Sequence, residues 1–304
     1  DAQIDFAGIA AACEAVRESV FDTSPLSTTF SHTFDEDLTL EETINVICQA
    51  CFLTPYRRGR VISVRPDIAT DDSVLVLNHR NILPGSQRIQ HTFGPPRDHD
   101  SVECDFVNPF GSVVETVKVP VLGTYFRPKR LSIVGLSSSR QAFWHAYRAY
   151  QRMQLQRQRV SMRTTEEGGA VGLMQRVLVA DRTRAGVQDG EVLGVSGGTV
   201  IRTSQPCALT PGRTYTLFLQ APDGTVQSRA VVSSANPFLL TLASAPSPAP
   251  ITDPAAGVRT LYFLVADDEA APTAYLVTEA VPVDRRHHEI EAVNYSHQYS
   301  VSYT

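Results

Sequence analysis

The sequence predicts an α+β fold: a β-rich domain braced by short helices over residues 1–165, then a small all-β barrel or sandwich over residues 166–304. Three observations carry this prediction. Apolar residues recur at helical spacing in segments that all lie before residue 165. Between those segments, two-residue alternation marks strands, as in Val102, Cys104 and Phe106 set against Glu103 and Asp105. After Glu166-Glu167-Gly168-Gly169 every periodic segment is short and bounded by turn residues. A chain of 304 residues suits about two domains, each able to bury its own core. The last strands remain free to return to the first domain.

The first helix is expected from Asp5 to Val20, with Asp5 accepting from the free amides of the first turn and Ile9, Cys13, Val16 and Val20 on one face. Ser24-Pro25 ends that unit. The second helix runs from Leu40 to Phe52, opened by the capping box Thr39/Glu42 and buried through Ile44, Ile47, Cys48 and Cys51. Pro55 stops it. A hairpin follows, Leu53 to Arg57 and Arg60 to Arg65, turning at Arg58-Gly59. Strands are expected at 73–77, 86–93, 101–107, 113–119 and 129–134, with Asn108-Pro109-Phe110-Gly111 as a turn. The third helix spans Ser139 to Gln154, opened by a second capping box, Ser138/Gln141. Phe143, Tyr147 and Tyr150 share one of its faces, and His145, Arg148 and Arg152 share another. Strand alternation resumes over 156–163, with Val160 and Met162 on the same side.

The second half reads as strands at 173–180, 190–196, 199–203, 214–220, 225–232 and 238–243, punctuated by Gly197-Gly198, Pro211-Gly212 and Asp223-Gly224. This spacing suits a small barrel or sandwich. Residues 246–254 form a Pro-rich surface loop, and strands at 260–265, 274–283 and 289–294 close the chain.

Composition narrows the function. Apolar residues make up 42% and charged residues 19%, which excludes a disordered chain. No apolar run reaches the ~20 residues of a membrane span, so no membrane insertion is expected. The acidic start, without an initiator methionine, lacks the pattern of a signal peptide and suggests a processed chain or part of a longer one. Cys13, Cys48, Cys51, Cys104 and Cys207 are few, odd in number and scattered, which argues against a disulfide framework and for assembly in a reducing compartment.

Chemistry-bearing patterns are weak. Cys48-x-x-Cys51 shares a helix face, but a structural zinc site needs four ligands and no second pair lies nearby, so two buried thiols are expected and no metal. His287-His288-Glu289 points its imidazoles to opposite sides of a strand, and His91, His99, Asp98 and Asp100 flank a Pro95-Pro96 turn. The sequence has no nucleophile elbow, P-loop or dinucleotide fingerprint, and the acidic runs 35–37 and 267–269 sit in loops. No enzyme activity and no cofactor are expected.

The charge distribution is more informative than its sum of −5. Between Glu115 and Glu166 there is no acid, while Lys118, Arg127, Lys129, Arg130, Arg140, Arg148, Arg152, Arg157, Arg159 and Arg163 all fall there. So one-sided a stretch needs negative partners: acids elsewhere in the fold, a neighbouring subunit, or phosphate. The interleaved aromatics Phe143, Trp144, Tyr147 and Tyr150 fall on a core stripe rather than a stacking platform. Arg127, Lys129, Arg130, Arg157, Arg159 and Arg163 are therefore the expected charged contacts to other subunits.

Five segments, in order, resemble the lambda-type tail tip attachment proteins, the host-specificity protein J family. They are Leu40-EETINVICQACFLTPYRRGRVISVRPD-Ile68, Arg97-DHDSVECDFVN-Pro109, Gly135-LSSSRQAFWHAYRAYQRMQLQRQRVS-Met162, Gly190-EVLG-Val195 and Ile290-EAVNY-Ser296. The third departs from the family in carrying His145 or Tyr147 where a small or basic residue is common. The resemblance implies a phage tail hub, with residues 1–165 as its hub domain. That hub would be a homotrimer in the virion's tail tip, assembled in the host cytoplasm. It would touch distal tail and other tail-tip proteins, the tape-measure protein and a central fibre, and would meet nucleic acid only as the genome in transit. Receptor recognition lies outside the matched region. A virion carbohydrate-binding or hydrolytic module is the alternative, suggested by the β-rich half and by Tyr295 and Tyr299. A DNA-binding protein, suggested by the acid-free stretch, would show strongly salt-dependent binding.

Overall fold

The computed structural model describes residues 3–20, 29–35, 37–70, 72–93, 98–111, 113–180, 188–256, 258–267 and 274–299. The expected helix stop at Ser24-Pro25 and turn at Pro95-Pro96 lie outside the described residues, as do Glu36, Asp268 and Glu269 of the acidic runs.

In chain order the elements are β1 (Gln3–Ile4), α1 (Phe6–Val20), α2 (Leu40–Ala50), β2 (Leu53–Arg58), β3 (Val61–Pro66), β4 (Val76–Leu77), β5 (Arg88–His91) and β6 (Ser101–Asn108). There follow β7 (Val113–Val119), β8 (Pro128–Ser132), α3 (Ser139–Leu155) and β9 (Gln158–Thr164). After a 3-10 turn at Glu166–Ala170 come β10 (Arg176–Val179), β11 (Gln188–Ser196), β12 (Val200–Thr203), β13 (Tyr215–Gln220), β14 (Val226–Asn236) and β15 (Leu239–Leu242). The last strands are β16 (Leu261–Ala266), β17 (Ala274–Pro282) and β18 (His288–Asn294). The fold is α+β, with all three described α-helices in the first half.

The chain forms two compact units, one of Asp1–Ala69, Thr92–Arg157 and Ser296–Thr304, the other of Thr70–His91 and Gln158–Tyr295. This differs from the division expected at residue 165. β9 pairs antiparallel with β18, Val160 opposite Ala292, and β4 runs parallel to β10, so both early segments belong to the later unit. The change of texture at Glu166 is a turn inside that unit and not a linker.

In the first unit, Asp5 caps α1: its Oδ1 accepts from the Gly8 amide at 2.9 Å, and its Oδ2 from the Ser63 hydroxyl at 2.9 Å, tying the helix start to β3. The Thr39/Glu42 capping box forms in full. Thr39→Ala should cost about 1 kcal/mol of stability, measurable by urea unfolding followed through Trp144, the chain's one tryptophan.

The second expected capping box does not form. Ser138 makes no side-chain cap bond, and the fully buried Gln141 side chain, instead of reaching back to the N-cap, donates its amide to the Ala50 carbonyl at 2.9 Å. The β2–β3 hairpin turns at Gly59-Arg60, one residue later than expected, where Gly59 takes φ +62°. A second sheet has the order β7-β6-β8, antiparallel then parallel. One core cluster joins Val16, Cys48, Phe52, Val64 and Trp144. Another joins Val102, Cys104, Val119, Leu136, Ala142 and Ala146 under the aromatic stripe of α3.

The second unit holds a six-stranded sheet, β4-β10-β17-β18-β9-β5, and a closed barrel, β11-β12-β15-β14-β13-β16. Closure removes the unpaired edges that a small antiparallel sheet would otherwise expose. Alternation selects the barrel interior: Tyr215, Leu217 and Leu219 of β13 point inward, as do Tyr262 and Leu264 of β16.

Candidate functional site

Polar groups gather along α3 in the first unit, where His145, Arg148 and Arg152 recur on one face. Their partners come from two chain turns. α2 ends at Cys51, and Phe52 then takes a left-handed backbone, φ +57°. That geometry costs a non-glycine residue of order 1–3 kcal/mol and tends to mark functional or tightly constrained positions. It lays the Phe52 ring flat against the His145 imidazole, centroids 3.8 Å apart and planes 9° apart. The Arg148 guanidinium carbon sits 4.6 Å from the same ring centroid.

His145 Nε2 lies 3.0 Å from the Ala50 carbonyl, which can only accept, so this nitrogen carries the proton. With Gln141 it satisfies a carbonyl that the end of α2 leaves open. Burial is the main force lowering the His145 pKa to about 4, opposed by the bond to Ala50 and reinforced by Arg148. The folded pKa thus lies below the unfolded value of about 6.5, and the unfolded chain binds the extra proton between them. His145 therefore contributes full stability above about pH 6.5 and loses up to about 3 kcal/mol as the pH falls toward 4. His145→Gln should flatten that dependence, read by urea unfolding across the same pH range; an unchanged slope would refute the assignment.

Just past β3, Asp67 serves both arginines. Arg148 Nη1 donates to its main-chain oxygen at 2.6 Å and stands 3.4 Å from Oδ2, and Arg152 Nη2 pairs with the same Oδ2. Arg148 is 4% exposed, and burial lowers its pKa to about 10, so it remains a cation at neutral pH. Its Nη2 is buried with no hydrogen-bond partner, a condition that costs about 1–3 kcal/mol. These groups line a cavity of about 550 Å³. Lys129 stands on its rim, and Leu53, Leu131, Ile133 and Met153 supply an apolar wall.

The six basic residues expected to reach other subunits do not converge as a set. Arg127, Lys129, Arg130 and Arg157 belong to the first unit, Arg159 and Arg163 to the second. Two of them, Arg130 and Arg163, face an acid inside the chain. Glu103, at the centre of its sheet, sits opposite Lys118 on one side and Arg130 on the other, at 3.6 and 3.4 Å. Arg163 faces Glu289 across β9 and β18, at 3.8 Å. Arg157 Nε donates to the Gln154 carbonyl at 2.7 Å. The Arg127 amide donates to Asp100, whose carboxyl the Phe126 amide and Arg127 hold below its usual range. Lys129 and Arg159 are exposed and form no ion pair among the described residues. The internal acids come from neighbouring strands, which a one-dimensional count of charge does not bring together.

Elsewhere, burial pushes the Cys48 and Cys51 thiols up to about 11, so both stay protonated at neutral pH. Among the described residues no group of three or more His, Cys, Asp or Glu is placed to share a metal. His287 sits on the β17–β18 turn, its Nδ1 2.7 Å from Asp284. In the second unit His79 Nδ1 lies 2.6 Å from the buried Asp189, an arrangement the sequence did not signal. Among the described residues no hydroxyl or thiol is hydrogen-bonded to His79, and the pair anchors residues 78–80 to the start of the barrel.

No family model and no curated protein matches the chain. Among solved structures, it is similar to a chain of the virion of a native gene transfer agent particle, with a TM-score of 0.45 and 12% identity over 97% of this chain and 48% of that one. It is also similar to the tail protein from Neisseria meningitidis MC58, with a TM-score of 0.38 and 10% identity over 96% of this chain and 69% of that one. The chain therefore spans about half the length of the gene transfer agent chain.

Proposed function

We propose that the chain is a structural component of a long-tailed phage tail tip, part of a trimeric central hub that closes the tail tube and joins it to the tip fibre. The observation that carries this reading is where the five resembling segments fall. Leu40 to Ile68 forms α2 and the β2–β3 hairpin, residues 98–109 form β6, and Gly135 to Met162 forms α3 and enters β9. Gly190 to Val195 lies in the barrel strand β11, and Ile290 to Ser296 makes up most of β18 and the two residues after it. Each builds a core or a sheet, which is what a rigid assembly part requires. In this reading the chain catalyses nothing and holds no cofactor. It binds two further copies of itself, neighbouring tail-tip and distal tail proteins, the tape-measure protein and the central fibre, while the genome only passes through.

Exposed apolar side chains supply docking surface for such contacts. At the β6–β7 hairpin, Phe110 is 99% exposed, with Val107, Val113 and Val114 beside it. Native mass spectrometry of tail complexes from producing cells tests the proposal. Three copies per complex are expected, and Phe110→Asp should weaken the complex without unfolding the chain. One copy per complex, or recovery only outside tails, would overturn the reading.

A further inference from the structure

We propose that the cavity beside α3 is a binding site for the carboxylate of an acidic side chain of another polypeptide, flanked by apolar residues. The juxtaposition that carries this is three cations, Lys129, Arg148 and Arg152, around one acid, Asp67, in a space of about 550 Å³. Asp67 already serves both arginines, so the site keeps a surplus of positive charge. His145 carries no charge at neutral pH, since burial lowers its pKa to about 4, and its one proton sits on the nitrogen facing Ala50.

The arginine geometry says where an anion would go. Arg148 is nine-tenths buried or more, spends Nη1 on Asp67, and leaves Nη2 without an acceptor. A guanidinium offers paired donors in a fixed plane, which matches the two oxygens of a carboxylate. Arg148 lines the cavity with that donor unspent, and Lys129, also on the lining, adds a second, exposed cation. Phe52 holds the guanidinium from beneath by stacking, which pre-orders it for the contact. The wall of Leu53, Leu131, Ile133 and Met153 selects among anions. It suits the hydrocarbon next to a peptide carboxylate and offers nothing to a free inorganic ion, whose remaining oxygens it would strip of water. The inference is independent of the tail-tip reading, since an acidic peptide could dock here in any assembly.

The test is calorimetric titration of the folded chain with the tripeptide Ac-Leu-Glu-Leu-NH2, its uncharged analogue Ac-Leu-Gln-Leu-NH2, and inorganic phosphate. The charged peptide should bind at least about tenfold more tightly than either of the others, with affinity that falls as salt rises. Lys129→Glu, at an exposed position, should keep the melting temperature of the free chain and weaken the charged peptide by about tenfold or more. Arg148→Met should abolish binding, but the rim variant decides if that protein fails to fold. Equal binding of the two peptides, phosphate binding as tightly as the charged peptide, or an unaltered affinity in Lys129→Glu would each overturn the proposal.

Discussion

Asp67→Asn is expected to lower the stability of the first unit by about 3–5 kcal/mol, the range seen when one partner of a buried ion pair is removed. Asp67 is the acid that both Arg148 and Arg152 face, and its side chain is 14% exposed. The amide keeps the shape and removes the charge, so the two guanidiniums lose the carboxylate they share. Arg148 retains its bond to the Asp67 main-chain oxygen, which the substitution spares. Trp144 lies in the adjoining core and reports this unit's unfolding in urea. Adding Arg152→Gln should return part of the loss, because it removes one of the stranded charges. A loss below about 1 kcal/mol would mean that solvent screens the cluster as it does surface pairs.

Tyr262→Ala should have a comparable effect on the second unit, about 3–5 kcal/mol. Tyr262 is completely buried at the centre of the barrel. Its hydroxyl lies 3.4 Å from the Gln205 carbonyl and 3.5 Å from the Cys207 sulfur. Its ring covers Gly190, where an added Cβ would stand 2.6 Å from Ser204 Oγ and 2.9 Å from Tyr262 Cε1. The glycine and the aromatic thus fill one volume between them. Tyr262→Phe keeps the ring and should cost only about 1 kcal/mol for the lost hydrogen bond. Amide hydrogen exchange along β13 and β16 measures both variants, since the two strands pair through this region. Equal protection in Tyr262→Ala and the native chain would show that the barrel core collapses around the missing ring.

Local chemistry was legible in the sequence, and long-range pairing was not. Thr39-x-x-Glu42 and Ser138-x-x-Gln141 present the same capping pattern, yet only the first forms. The difference is tertiary: the Ala50 carbonyl holds the Gln141 side chain in the core, away from the N-cap, whereas Glu42 is exposed at the helix start and accepts from the Thr39 amide. Turn residues and alternation marked the barrel strands to within a few positions, as at Asp223-Gly224 between β13 and β14. The domain boundary was missed because β9 and β4 pair with strands far along the chain, and such pairing leaves no mark on composition.

The site divides in the same way. The stripe of His145, Arg148 and Arg152 followed from helical spacing. The acid that joins two of them, Asp67, lies past the end of β3, and the left-handed turn at Phe52 follows α2 without a glycine to announce it. The acid-free stretch left open whether its cations meet acids within the fold or in another subunit, and Glu103, Asp67 and Glu289 meet several of them from within.

Cryo-electron microscopy of the assembled particle tests the central claim most directly. The account predicts density for this α+β chain at the distal end of the tail, in three copies around the tube axis, with the β6–β7 hairpin covered by a neighbour. Density for the chain in the capsid or along the tail shaft, or a particle complete without it, would contradict the account.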